Sequence, residues 1–297
     1  FYSATNWWNS SAPKQICGKL GHPCVSIRHS GGFLLGNKDR SAPRLPFLSM
    51  LVAAALAGKC LPSNVAIGLY LLLFVAFLYV EGIGAAGIHD MVSDVSSALG
   101  YIDEHAHEWG LGGLEPQNLN HKNSIPVVFG GYSSGAHVAA TLLTVSPLSP
   151  LLSVTSKEPQ KLKHLTIRSV LYLSGVLDVS AEPFLMSLLS RIVLGKPPSE
   201  VPSPLRALAS LDEKTIGSFP PHVLIGCKRE VFGWSILDSA FCANEYAETL
   251  RSSRHTDETS KVQLILLDDW TVNHWSILSS LALRKALRNV LASLDGP

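Results

Sequence analysis

The chain has 297 residues, 46% of them hydrophobic and 16% charged, so it has material for one large buried core and suits a single α/β domain better than several small ones. A formal net charge of +1, with no long run of one sign, argues against nucleic acid or an anionic membrane surface as the main partner. Five cysteines (Cys17, Cys24, Cys60, Cys227 and Cys242) are odd in number and lack paired metal-ligand spacing, as expected of reduced thiols and a cytoplasmic location. The chain opens on Phe1, so the start of the natural protein, with any targeting segment, is expected to be missing. Asn9-Ser10-Ser11 fits the glycosylation sequon, a pattern short enough to arise by chance.

Taken in chain order, short β-rich apolar runs alternate with longer helical patterns, the signature of a mostly parallel central sheet flanked by helices on both faces. Cys24–His29 (CVSIRH) predicts a strand and Leu45–Lys59 a helix. Between Lys59 and Glu81 the chain carries no charge, and Leu61–Val80 approaches the length of a membrane-spanning helix. Pro62 and Asn64 near its start, and aromatic and β-branched residues toward its end, favour a buried strand over about 72–80 preceded by extra apolar chain. Membrane association through 61–80 is the second reading. A span there would place two elements of one site on opposite sides of a bilayer.

Apolar residues at helical spacing predict a helix over His89–Gly110, followed by a Gly/Asn-rich loop over 111–124. Ile125–Gly131 reads as a buried strand and Ser134–Val145 as a helix. Ser169–Val176 is a strand, and 181–212, broken by Pro183, Pro197, Pro198, Pro202 and Pro204, is a cap-like helical excursion. His222–Cys227 and Lys261–Asp268 are strands, Ser239–Ser253 is a helix, and Ser276–Leu294 is a long closing helix.

The sharpest local signal is Gly131-Tyr132-Ser133-Ser134-Gly135, a G-x-S-x-G with an apolar strand running into it and a helix leaving it. Small residues around Ser133 let strand and helix backbones pass closely and lift the hydroxyl to the top of the sheet. The helix N-terminus beneath it favours the negative charge that develops in acyl transfer. The competing reading is an ordinary βα turn, with Ser133 or Ser134 as helix N-cap. An oxyanion hole is expected from Gly31 and Gly32 in His29-Ser30-Gly31-Gly32-Phe33, where backbone N–H groups can converge without Cβ obstruction, and from the N–H of Ser134.

A general base comes after the final strand in this arrangement, and Asn273-His274-Trp275 occupies that place. Among the other histidines, His137 suits packing or a supporting hydrogen bond, His29 shapes the oxyanion loop, and His89, His105 and His107 read as surface groups. The acid that orients the imidazole should follow the penultimate strand. Glu230 is the first choice there, Asp238 the second, and Asp178, after the preceding strand, the third.

Together these segments resemble the arylformamidases, or kynurenine formamidases, and their esterase relatives. The similarity lies in His29-x-Gly31-Gly32-Phe33-x-x-Gly36-x-Lys38-Asp39, Gly131-Tyr132-Ser133-Ser134-Gly135-Ala136-His137, Ser174-Gly175-Val176-Leu177-Asp178 and Asn273-His274-Trp275, with His89-Asp90-Met91-Val92 similar to the helix before the nucleophile strand. It covers roughly residues 24–290. The resemblance implies an α/β-hydrolase fold, a Ser–His–acid triad, no cofactor and no metal, and hydrolysis of small acyl esters or N-formylkynurenine. Three positions depart from the pattern. Ser30 stands where glycine is usual, the apolar run around 61–80 is longer than a central strand needs, and Arg229 occupies the position where the acid is usually Asp.

The sequence thus predicts a serine hydrolase of carboxylic esters or aryl-formamides. Two alternatives remain: a catalytically weak hydrolase-fold protein that binds a ligand, motivated by Arg229, and a membrane-anchored esterase using 61–80. Formamide, short-chain ester and prenyl-type ester substrates are not separated, since 181–212 carries no readable code.

Overall fold

In a computed structural model, the described residues are 17–19, 24, 25, 27, 65, 87–111, 124–145, 162–179, 198–228, 239–252, 262–269, 272, 273 and 276–294. The helix predicted over 45–59 and the strand over 72–80 lie outside them, as does all of the 61–80 run except Val65, which is helical. Cys24, Val25 and Ile27, the described part of the first predicted strand, adopt no regular secondary structure. Among the described residues no helix is long and apolar enough to cross a membrane.

Four strands, β1 (Ile125–Tyr132), β2 (Leu165–Leu173), β3 (His222–Cys227) and β4 (Val262–Leu267), pair in the order β1-β2-β3-β4, each pair parallel. Parallel neighbours need crossovers, and helices fill them. Helix α1 (Ile88–His105) precedes β1, and α2 (Ser134–Thr144) links β1 to β2. Two short helices, α3 (Pro204–Ala209) and α4 (Glu213–Gly217), lie between β2 and β3, and α5 (Ser239–Ser252) between β3 and β4. Helix α6 (Leu281–Leu294) follows the last strand.

The strands alternate their side chains between two apolar layers, as period-two geometry requires. Phe129, Val170, Tyr172 and Leu224 join Met91 and Val95 of α1, Leu142 and Leu143 of α2, and Tyr246 and Leu250 of α5 on one face. Leu171, Leu173, Val223, Ile225 and Cys227 pack with Ile277, Leu283, Leu287 and Val290 on the other. Burial on both faces explains why Phe129–Tyr132, Val170–Leu173 and Val223–Cys227 carry no charged residue. Each large side chain removed from water, such as Leu173 or Leu224, stabilises by roughly 1.5–3 kcal/mol.

Four predicted boundaries are corrected. The helix expected over His89–Gly110 ends at His105, and 106–111 form turns in which Gly110 takes φ 65°. β2 begins at Leu165 rather than Ser169, because Leu165-Thr166-Ile167-Arg168 alternates buried and exposed positions at the sheet's end. It ends at Leu173 rather than Val176: the Ser174 N–H still continues the ladder to the carbonyl of Ile225, but its backbone turns to φ 42°. The closing helix starts at Leu281, after a separate 3-10 turn over Ile277–Ser279; the Ser280 hydroxyl accepts from the N–H of Leu283 and caps the new start. Within the proline-broken excursion, residues 181–197 lie outside the described residues. Ser203 caps α3 by accepting from the Arg206 N–H at 3.2 Å, with Pro204 in the first turn, where its missing N–H costs nothing.

Candidate active site

Strand β1 ends in Gly130-Gly131-Tyr132, and the glycines are there for closeness. A Cβ on Gly130 would collide with the Leu171 carbonyl of the neighbouring strand. A Cβ on Gly131 would lie within the backbone of Gly135 and 2.5 Å from the Ala136 nitrogen. The start of α2 therefore folds back directly over the end of β1. Ser133 makes the reversal at φ 54° and ψ −120°, a conformation that L-residues rarely adopt and that costs on the order of 1–3 kcal/mol. Its N–H donates to Leu173 O at 2.9 Å, continuing the β1–β2 ladder, while its carbonyl accepts from the N–H groups of Ala136 (3.1 Å) and His137 (3.3 Å), opening the helix. Ser133 and Ser134 are partly exposed, while their neighbours Tyr132 and Gly135 are buried. The described residues have the architecture of the α/β-hydrolase fold, a parallel sheet covered on both faces, with a strained serine between a strand and a helix.

Ser133 is not alone in its strain. Among the described residues the other non-glycine with positive φ is Ser174, at the carboxyl end of the next strand. The carboxyl ends of parallel strands are where α/β folds bind ligands. The Ser174 hydroxyl lies 3.6 Å from the Cys227 sulfur, tying the ends of β2 and β3 together. Burial pushes the Tyr132 hydroxyl far above its ordinary pKa, and the Cys227 sulfur nearby adds to the shift. The sequence pattern placed Ser174 within a strand and did not show its left-handed turn, whose signal is the Ser-Gly pair directly after an apolar run.

His137 is fully buried below the turn. Its Nδ1 stands 2.7 Å from Val176 O, and since a carbonyl only accepts, Nδ1 carries the proton. Nε2 has no well-aligned hydrogen-bond partner among the described residues, although the Pro202 carbonyl is near enough to act on the ring. Desolvation lowers the pKa of the ring, opposed in turn by the carbonyls of Val176 and Pro202 and the carboxylate of Asp178. The ring is therefore a neutral support, as its sequence position suggested.

Of the expected site residues, Ser133 and Ser134 adjoin at the elbow, and Asp178 is partly buried after β2, near enough to His137 to act on it electrostatically. Gly31, Gly32, Glu230, Asp238 and His274 lie outside the described residues. The flanks of His274 are described. Asn273 and Ser276 exchange two hydrogen bonds, Asn273 N–H to Ser276 Oγ at 2.9 Å and Ser276 N–H to Asn273 Oδ1 at 3.0 Å. Val272 and Ile277 on either side are buried in the α6 layer. At the end of β3 the Lys228 N–H continues the ladder to Leu267 O at 3.0 Å, and its ammonium pairs with Asp268 at 2.9 Å.

No family model and no curated protein matches the chain. Solved structures do. The chain is similar to esterase 2 of Thermogutta terrifontis in its apo form, with 20% identity, coverage of 69% of this chain and 64% of that one, and a TM-score of 0.43. It is also similar to a thermostable esterase from Pseudomonas putida ECU1011, with 17% identity, coverage of 75% and 67%, and a TM-score of 0.46. A third is carboxyl esterase 2 of the mycorrhizal fungus Tuber melanosporum, with 16% identity, coverage of 65% and 57%, and a TM-score of 0.40. The chain spans less than two thirds of the first and third of these proteins.

Proposed function

We propose that the protein is a serine hydrolase that cleaves carboxylic esters through an acyl-enzyme on Ser133. The observation that carries this reading is the conformation of Ser133, φ 54° and ψ −120° between β1 and α2. An ordinary N-cap has no need of such strain, whereas a nucleophile that must stand clear of the sheet does. In this reading His274 removes the Ser133 hydroxyl proton as Oγ attacks the ester carbonyl carbon. The resulting oxyanion is received by the N–H groups of Ser134, Gly31 and Gly32. His274 then gives its proton to the departing alcohol as the carbon–oxygen bond breaks, and water, activated the same way, releases the acid. Glu230 orients His274 and stabilises its cation, with Asp238 and Asp178 as the other carboxylates for that task. An aryl-formamide fits the same chemistry, with an arylamine as leaving group.

The test is labelling with a fluorophosphonate together with turnover of p-nitrophenyl acetate and an aryl-formamide. The wild-type chain should label and turn over. Ser133→Ala should keep its fold, lose labelling and lose roughly 10³-fold or more of activity. Esterase activity retained in that variant would sink the assignment. Turnover of the ester but not of the formamide would remove the finer substrate reading alone.

A further inference from the structure

We infer that His107 and His164 form a binding site for a divalent first-row transition metal such as zinc, at the end of the sheet opposite Ser133. The two residues are 57 apart in sequence, yet His107 Nε2 and His164 Nδ1 face each other at 2.9 Å, with the rings 80° apart in an edge-on arrangement. Without a metal, two neutral imidazoles at this distance share one proton, one ring donating and the other accepting. A cation takes the place of that proton and uses both in-plane lone pairs. With Zn–N bonds of about 2.0–2.1 Å and a tetrahedral angle, the nitrogens would stand about 3.3 Å apart. The nitrogens therefore need to part by only a few tenths of an ångström, while each ring turns so that its lone pair leaves the N···N line and points at the metal.

The backbone around both rings is already fixed. The His164 N–H donates to Asp103 Oδ1 at 2.9 Å, and its carbonyl accepts from the Ile125 N–H at 2.6 Å. Asp103, 4% exposed, also accepts from the N–H groups of Lys163 and Leu165, both at 2.7 Å. On the other side, His107 sits in the turn after α1, directly beyond Ala106, which is buried against Ile125 and Leu165. The Leu111 N–H returns to Ala106 O at 3.0 Å and the Gly110 N–H to His107 O at 3.0 Å. Two ligands held on separate, anchored segments lose little freedom when a metal joins them.

Among the described residues no group of three His, Cys, Asp or Glu side chains comes together, so the two imidazoles are the ligands these residues offer. Imidazole donors select zinc, copper or nickel over magnesium or calcium. His164 directly precedes β2, while Ser133 follows the eight residues of β1, which pairs in parallel with β2 from Ile125↔Leu165 to Tyr132↔Leu173. At about 3.3 Å per residue the two sites stand about 30 Å apart. The cation therefore acts as a clasp between the end of α1 and the start of β2, and its binding does not depend on the hydrolase reading.

The experiment titrates zinc chloride alone into the untagged full chain by calorimetry at neutral pH, with His107→Gln and His164→Gln in parallel. One zinc per chain is expected in the wild type, with each variant weakening that event at least about tenfold. Zinc should raise the wild-type Tm and leave both variants unmoved. Protonation competes for the same lone pairs, so binding should weaken toward acid pH. The site is overturned if the wild type takes up no zinc at millimolar metal, or if both variants bind as it does, which assigns the metal to other histidines. Because the two positions lie on different segments, circular dichroism identifies a variant that fails to fold and the remaining one decides. Should neither fold, copper(II) bound to the wild type with fewer than two nitrogen ligands by electron paramagnetic resonance overturns the proposal.

Discussion

The Nδ1–H of His137 donates to the carbonyl oxygen of Val176 at 2.7 Å, and so fastens the helix that starts at the elbow to the loop that leaves β2. Burial holds this imidazole neutral in the folded chain, whereas in the unfolded chain it takes a proton near its ordinary value of 6.5. The unfolded state therefore binds the extra proton, and stability falls as the pH drops below 6.5 toward the lowered folded value. The slope reaches at most about 1.4 kcal/mol per pH unit. His137→Asn keeps a donor for Val176 but has nothing to protonate. It should cost about 1–3 kcal/mol at neutral pH through lost ring volume. Its denaturation midpoint should also fall less steeply than that of the wild type between neutral and mildly acid pH. An unchanged slope would assign the acid sensitivity to another group.

The strain at Ser133 can be measured directly. Glycine accepts φ 54° readily, whereas alanine keeps the Cβ that makes this backbone costly. Ser133→Gly should therefore be more stable than Ser133→Ala by about 1 kcal/mol in chemical denaturation, the relief exceeding the extra entropy of glycine in the unfolded chain. Equal stabilities would mean that the elbow stores no strain.

Gly131→Ala should be more damaging than its one methyl suggests. The added carbon would meet backbone atoms of Gly135 and Ala136, which no side-chain rotation can move aside. A loss of about 3 kcal/mol or more is expected, with displacement of α2 from β1. Near-wild-type stability would show that the helix can slide away without penalty.

Asp103→Ala removes a carboxylate that accepts from three consecutive backbone N–H groups, those of Lys163, His164 and Leu165. Leaving the buried Leu165 N–H without an acceptor should cost at least about 2 kcal/mol. Asp103→Asn should recover part of this at best, because the amide nitrogen cannot accept. Hydrogen exchange at Leu165 should quicken by more than at Ile225, in the middle of the sheet.

The parts of the fold that were legible in the sequence are those in which local pattern and tertiary environment agree. Ile125–Tyr132 is buried at every position from Phe129 onward, and it ends in glycines because α2 returns across it, so strand, turn and Ser133 could all be read from a dozen residues. His222–Cys227, buried at every position, was legible for the same reason. The start of β2 was not, because Thr166 and Arg168 point outward at the sheet's end and dilute the apolar signal. Nor was the left-handed turn at Ser174, which interrupts an otherwise apolar run. His107 reads on its own as one more polar residue on a helix flank. Its partner lies 57 residues further on, and no short-range spacing connects them. Of the candidate site, Ser133 and Ser134 stand where the motif put them. Around His274, the reciprocal Asn273–Ser276 bonds were invisible because they depend on side-chain direction rather than residue type.

The three hydrogen bonds to Asp103 also decide on which element the second strand depends. They fix where β2 begins from α1, an element that precedes β1 in the chain, so the first residues of β2 are held against Ile125 by a carboxylate 60 to 62 residues upstream. If α1 detaches, the sheet should therefore loosen first at the Ile125–Leu165 end and last at the Tyr132–Leu173 end.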